Sequence, residues 1–131
     1  MSGNKDIVIS GTGRESNLYR ITLLVLERSL SDYNVSIVPF SDVLSGLSER
    51  GCGYTALLVM DHPEGHEFCH AFREKESDSG YERTPILVVT GGDETRAKRI
   101  RLEDDIDGVL RKPFQLNELT ESVKGILPQD K

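Results

Sequence analysis

The chain has 131 residues, of which 37% are hydrophobic and 29% charged, enough for one compact domain with a core that needs no disulfide or metal staple. Its net charge is −6, with 16 basic residues scattered among 22 acidic ones, so a direct grip on duplex nucleic acid, which wants a basic patch, is not expected. Cys52 and Cys69 make no disulfide framework, the N-terminus lacks a signal-peptide pattern, and no apolar run approaches the ~20 residues of a membrane span; the expectation is a cytoplasmic protein that works neither on DNA nor in a bilayer.

The first apolar run is Ile7-Val8-Ile9. It leads through Ser10-Gly11-Thr12-Gly13 into a segment of helical spacing, with Leu18, Ile21, Leu24 or Val25, and Arg28 on one stripe and Leu23 and Leu26 widening it. A second run, Val35 to Val38, precedes a short helix on Val43, Leu44 and Leu47, capped by Ser41 or Asp42. The third run, Ala56 to Met60, precedes a helix marked by Phe68, Cys69 and Phe72, and then a polar, mobile loop from Glu76 to Thr84. The fourth, Ile86 to Val89, is followed by a charged helix over 93 to 103 that touches the core through Ala97, Ile100 and Leu102. Val109-Leu110 is the weakest strand signal. Leu116, Leu119, Val123, Ile126 and Leu127 mark a last helix, with Asn117 as its cap and Pro128 just beyond its end. Residues 129 to 131 read as a disordered tail.

Continuous rather than alternating apolar runs predict strands buried on both faces. A strand-helix unit repeated five times predicts a three-layer α/β domain, a doubly wound five-stranded parallel sheet of order 2-1-3-4-5. One domain spans 1–131, with an ordered core over about 5–127. In such a sheet the sites lie beyond the carboxyl ends of the strands, near the switch between strands 1 and 3. That directs attention to Ser10 to Arg14, Asp61 to Gly65, Thr90 to Asp93 and Arg111 to Phe114.

Three of these ends carry an acid (Asp61), a hydroxyl (Thr90) and a Lys-Pro pair (Lys112-Pro113). With Gly53-Tyr54-Thr55-Ala56-Leu57-Leu58 leading into the third strand, Gly65-His66-Glu67-Phe68-Cys69 opening the third helix, and Leu102 to Gly108 before Lys112-Pro113-Phe114, nearly the whole chain resembles the receiver domains of response regulators. The resemblance implies a CheY-like, flavodoxin-like fold and a signalling role in two-component phosphorelays. It implies that Asp61 is the phosphoacceptor for a histidine kinase, that Lys112 neutralises the phosphoryl oxygens, that the Thr90 hydroxyl binds one of them, and that Pro113 follows a cis peptide. A carboxylate attacking phosphorus needs its charge offset, which Mg²⁺ does through oxygen ligands from more than one carboxylate.

The chain departs from the family at three places. The family's acid pair at the end of the first strand is replaced by Ser10-Gly11-Thr12-Gly13. The only metal-ligand pair on offer is Asp61 with Glu15 reaching back from the first helix, which predicts weak Mg²⁺ binding and slow phosphorylation. The segment Asp61-His62-Pro63-Glu64-Gly65 is shorter than the family's, and Val109 stands where many members carry an aromatic readout residue. The resulting expectation is a degenerate, or pseudo-, receiver that is not an enzyme and acts by binding signalling proteins, a kinase or a downstream effector. The face formed by helix 4, strand 5 and helix 5 is a candidate homodimer surface. A conventional Mg²⁺-dependent phosphoacceptor is the alternative.

Two other constellations compete. Ser10-Gly11-Thr12-Gly13 before a helix resembles the phosphate loop of flavodoxins, where backbone amides and hydroxyls cradle a phosphate. Flavodoxins also stack flavin on aromatic residues, which Asp61 to Glu67 and Gly91 to Thr95 do not supply; an FMN protein is the remote alternative. His66-Glu67-Phe68-Cys69-His70 matches H-E-x-x-H, yet no third ligand is evident, and His66, Glu67 and His70 read as solvated helix residues.

Overall fold

A computed structural model describes residues 6–11, 16–50, 53–60, 64–91, 94–101, 104–112 and 114–127. Asp61, Pro113, Thr12, Gly13, Glu15, Pro128 and the tail at 129 to 131 fall outside that description, as do the environments of Ala97 and Leu102.

The elements alternate along the chain as β1 (Asp6–Ser10), α1 (Ser16–Ser29), β2 (Asn34–Ile37), α2 (Phe40–Arg50), β3 (Ala56–Val59), α3 (Glu64–Ser79), β4 (Ile86–Thr90), α4 (Glu94–Arg101), β5 (Gly108–Arg111) and α5 (Leu116–Ile126). All pairings are parallel and the sheet order is β2-β1-β3-β4-β5, so every strand delivers its carboxyl end to the same side of the domain. The predicted order is the observed one.

The continuous apolar runs have the cause inferred from them. β3 and β4 are buried at every residue because both faces of the sheet are covered. Ile7, Ile9, Leu58, Leu87, Val89 and Leu110 face α1 and α5, where Tyr19, Leu26, Leu119 and Val123 meet them. Val8, Leu57, Val59, Ile86 and Val88 face α2, α3 and α4, where Val43, Leu47, Phe68, Phe72 and Ile100 meet them. The edge strand β2 is mostly exposed, as an edge covered on one side allows.

Four local expectations are corrected. In α1 the core stripe is Tyr19, Thr22 and Leu26, continued by Leu30 just beyond the helix, while Ile21 and Leu24 are 47% and 56% exposed. The stripe sits one residue away from the apolar reading because Thr22, buried with its hydroxyl donating to the Leu18 carbonyl at 2.8 Å, takes a core position that looks polar in sequence. In α2, Ser41 and Asp42 are not caps; the helix begins at Phe40, and Asp42 lies in the first turn, where the helix dipole favours an acid. In α5 the cap is Gln115, not Asn117: the Gln115 amide donates to Glu118 Oε1 at 2.7 Å, half of a capping box.

The fourth correction concerns Glu76 to Thr84. Helix α3 runs on through Ser79 and is closed by Gly80, whose φ of 75° suits a residue without a Cβ. Glu76, only 5% exposed, accepts the Thr84 amide at 2.7 Å and an Arg73 guanidinium hydrogen at 2.9 Å. The segment is tied to the core by a buried carboxylate, so a polar composition concealed a structural anchor.

Candidate functional site

The end of the sheet that the topology rule singles out is laced together by backbone hydrogen bonds. The Met60 amide donates to the Ser10 carbonyl at 2.9 Å, the Lys112 amide to the Thr90 carbonyl at 2.8 Å, and the Val38 amide to the Ile9 carbonyl at 3.0 Å. These bonds carry the parallel pairing one residue past the strands and fix the chain just before Asp61 beside Ser10. The hydroxyl-bearing Thr90 and the ammonium-bearing Lys112 are held as neighbours by adjacent strands. Of the residues that sequence pointed to, the structure therefore brings together Ser10, Gly11, Thr90 and Lys112. Asp61, the residue at the centre of the expectation, is outside the described residues, as are Glu15, Thr12, Gly13 and Pro113.

Register and pleat decide which way the hydroxyls face. Ser10 pairs with Val59, and Val59 with Val88; Val59 and Val88 belong to the core on the α2, α3 and α4 side. Side chains alternate along a strand, so Ser10, next but one after Val8, and Thr90, next but one after Val88, share that side. They stand on the two strands that flank β3. Helix α1 packs on the opposite face, so the Ser10 side chain turns away from α1 and toward the face that carries Thr90.

Burial is nearly complete here. Ser10 is 0% and Thr90 1% exposed, and Gly11 is buried, whereas Lys112 is half-buried. The Ser10 hydroxyl has no hydrogen-bond partner, the one such buried side-chain atom among the described residues. Gly91, within the Thr90 to Asp93 segment, borders Lys112: a Cβ at Gly91 would stand 3.5 Å from Lys112 Cε, so the lysine arm runs back over the end of β4. The signal for it was the Thr90-Gly91 pair at the end of a strand.

The described residues at these strand ends are Ser10, Gly11, Met60, Thr90, Gly91 and Lys112. They offer hydroxyls and one cation and no carboxylate. Asp61, whose carboxylate the sequence places at the end of β3, lies outside the described residues.

The H-E-x-x-H segment behaves as solvated helix. His66, Glu67 and His70 are exposed while Phe68, Cys69 and Phe72 are buried. His70 lies 3.6 Å from carboxylate oxygens of both Glu74 and Asp105, and among the described residues no three His, Cys, Asp or Glu side chains are arranged to hold a metal. Cys69 is buried and forms no disulfide among the described residues. No described helix is long and apolar enough to cross a membrane.

Comparison with known proteins converges on the same reading. The response regulator ArlR of Staphylococcus aureus is 31% identical over 117 residues, covering 86% of this chain and 49% of ArlR; the chain spans about half the length of this curated relative. Among solved structures, a Chloroflexus aurantiacus J-10-fl protein described as a response regulator superposes with a TM-score of 0.74 at 22% identity, over 97% of this chain and 100% of that one. The Vibrio cholerae chemotaxis protein CheY4 superposes with a TM-score of 0.66 at 20% identity, over 95% and 100%. These structures establish the fold. No protein-family model matches the chain. With five parallel strands in the order 2-1-3-4-5, Thr90 and Lys112 at the ends of β4 and β5, and a response regulator as its relative, the chain is a receiver domain of the response-regulator family, the signalling module of two-component systems.

Proposed function

We propose that this receiver domain is degenerate: it signals through protein contacts, and phosphotransfer to Asp61 is absent or slow. The observation that carries this reading is the end of β1, which supplies a buried hydroxyl and a glycine, Ser10 and Gly11, where phosphotransfer needs negative ligands for the cation that offsets phosphoryl charge. Val109 supports it as well. It is half-buried against the core on the α2, α3 and α4 side, and a β-branched valine has too stiff and short a side chain to serve as a swinging readout. On this reading the domain is not an enzyme, works in the cytoplasm, and binds a histidine kinase or a downstream effector. A second copy docking through the α4, β5 and α5 face is the form of self-association it favours.

A conventional phosphoacceptor is the second reading. What favours it is the adjacency of Thr90 and Lys112, joined at 2.8 Å through their backbones. Intact mass after incubation with acetyl phosphate and Mg²⁺, with Asp61→Asn as control, separates the two. A folded protein that gains no phosphoryl group supports the degenerate reading. A gain that disappears in Asp61→Asn overturns it in favour of the conventional one.

A further inference from the structure

The sheet face that α2 covers is left open over β2, where Ser36 is exposed, and a groove of about 430 Å³ lies there. That volume falls in the range of roughly 300–1,000 Å³ usual for small-molecule sites. Val8 and Ser36 are register partners, and they line the groove together with Val38. Gly46 of α2 leaves it open: a Cβ at that position would meet nothing within 4 Å. A glycine inside a helix is destabilising relative to alanine, and no close neighbour at Gly46 requires one; what it provides is room. Tyr54 also lines the groove and is held from two sides. Its amide donates to Thr84 Oγ1 at 3.0 Å, and its ring stacks on Phe72 with centroids 6.4 Å apart.

The charge in this groove has one sign. Asp6, half-buried at the start of β1, and Glu49, exposed on α2, both line it, and among the described lining residues none is basic. Asp6 Oδ1 accepts a hydrogen from the Asn34 side chain at 3.4 Å, and a carboxylate has capacity for several such bonds. Two acids over an apolar strip of Val8 and Val38, beside an aromatic ring, suit a cation with a hydrocarbon body. They suit a hard metal ion poorly, since it wants a shell of oxygens, and among the described residues no three His, Cys, Asp or Glu are arranged to hold one.

We propose that this groove binds a small organic cation, an amine or guanidinium group carried on a short aliphatic chain. The carboxylates of Asp6 and Glu49 hold the charged head, and the chain lies along Val8 and Val38 in the space that Gly46 leaves. The site shares no residue with the strand-end cluster of Ser10, Thr90 and Lys112, so it stands whether or not Asp61 takes up a phosphoryl group.

Titration of the isotope-labelled full chain with agmatine at physiological salt, followed through backbone amide shifts, tests this. Agmatine carries a guanidinium and an amine on a four-carbon chain; butanol matches the chain without charge, and added NaCl matches the charge without the chain. The expected result is saturable, millimolar binding centred on the Gly46 and Tyr54 amides, with no such response to butanol or NaCl. Gly46→Leu raises helix propensity and fills the groove, so it should fold and weaken binding by about tenfold or more. Asp6→Asn and Glu49→Gln should each weaken binding by about threefold. The absence of a saturable shift, shifts spread evenly over the acidic surface, or an equal response to butanol overturns the proposal. So does a folded Gly46→Leu protein that binds as well as the unaltered one. If Gly46→Leu does not fold, the two charge variants decide, and unchanged affinity in both overturns it.

Discussion

The amide of Thr84 donates to the carboxylate of Glu76 at 2.7 Å, joining the start of the chain into β4 to a helix residue eight positions earlier. The same carboxylate receives Arg73, and the Thr84 hydroxyl receives the amide of Tyr54 just ahead of β3. One buried acid thus organises the end of the sheet opposite to the candidate site. Glu76→Ala should cost about 3 kcal/mol, since it leaves Arg73 Nη1 and the buried Thr84 amide without this acceptor. Urea denaturation measures this. In the unaltered protein the Thr84 amide should exchange slowly with solvent; rapid exchange there would mean the anchor does not hold.

Arg73 is a junction as well. It donates to the Asp105 carbonyl at 3.0 Å and to Asp107 Oδ2 at 3.0 Å, while Asp107 Oδ2 also accepts the Ile86 amide at 2.8 Å. Asp107 and Ile86 additionally bond through the Asp107 amide and the Ile86 carbonyl, which sets β5 beside β4. In a double-mutant cycle of Arg73→Ala and Asp107→Ala, the coupling should reach about 1–2 kcal/mol, as for residues sharing one network. Additive losses would show that the two act separately.

Gly53 has no room for a side chain. A Cβ there would stand 2.5 Å from Thr84 Oγ1 and 3.4 Å from the Glu82 carbonyl. Moving Thr84 aside would break its bond from Tyr54. Gly53→Ala should therefore destabilise by about 1–3 kcal/mol, and adding Thr84→Ala should recover part of the loss. A neutral Gly53→Ala would place the two segments further apart than the structure does.

The orientation of α1 can be tested by contrast. Leu24→Lys and Ile21→Lys should change stability by no more than about 0.5 kcal/mol, because both positions are half-exposed. Leu26→Ala, at a fully buried position, should cost about 2–5 kcal/mol. Chemical denaturation of the three variants suffices. Similar losses at all three positions would put the helix one residue out of rotation.

The receiver fold was legible because its signal is redundant. Five apolar runs separated by helical spacings permit few sheets, and the rules of parallel connection leave one natural order. The positions of Thr90 and Lys112 at neighbouring strand ends were legible in the same way, since a hydroxyl and a Lys-Pro pair stand at the ends of recognisable strands. In α1, Leu18, Leu23, Val25 and Leu26 meet the core as expected, but Ile21 and Leu24 do not, because they are as apolar as Leu26 and only packing distinguishes them. Glu76 was placed in a loop because buried carboxylates are rare and the partners that make one tolerable, Arg73 and the Thr84 amide, cannot be seen from its neighbours in sequence.

By itself, then, the sequence determined what depends on local pattern: strand and helix order, parallel pairing, the family, and the strand ends that Thr90 and Lys112 occupy. Tertiary structure decided what depends on facing and partners. It rotated α1, extended α3 through Ser79, and set Ser10 on the face of the sheet that carries Thr90. It also left the Ser10 hydroxyl buried without a partner. The physical reason is that apolar periodicity specifies which elements must be buried, whereas the neighbours of a polar atom are supplied by strands and helices far away in the chain.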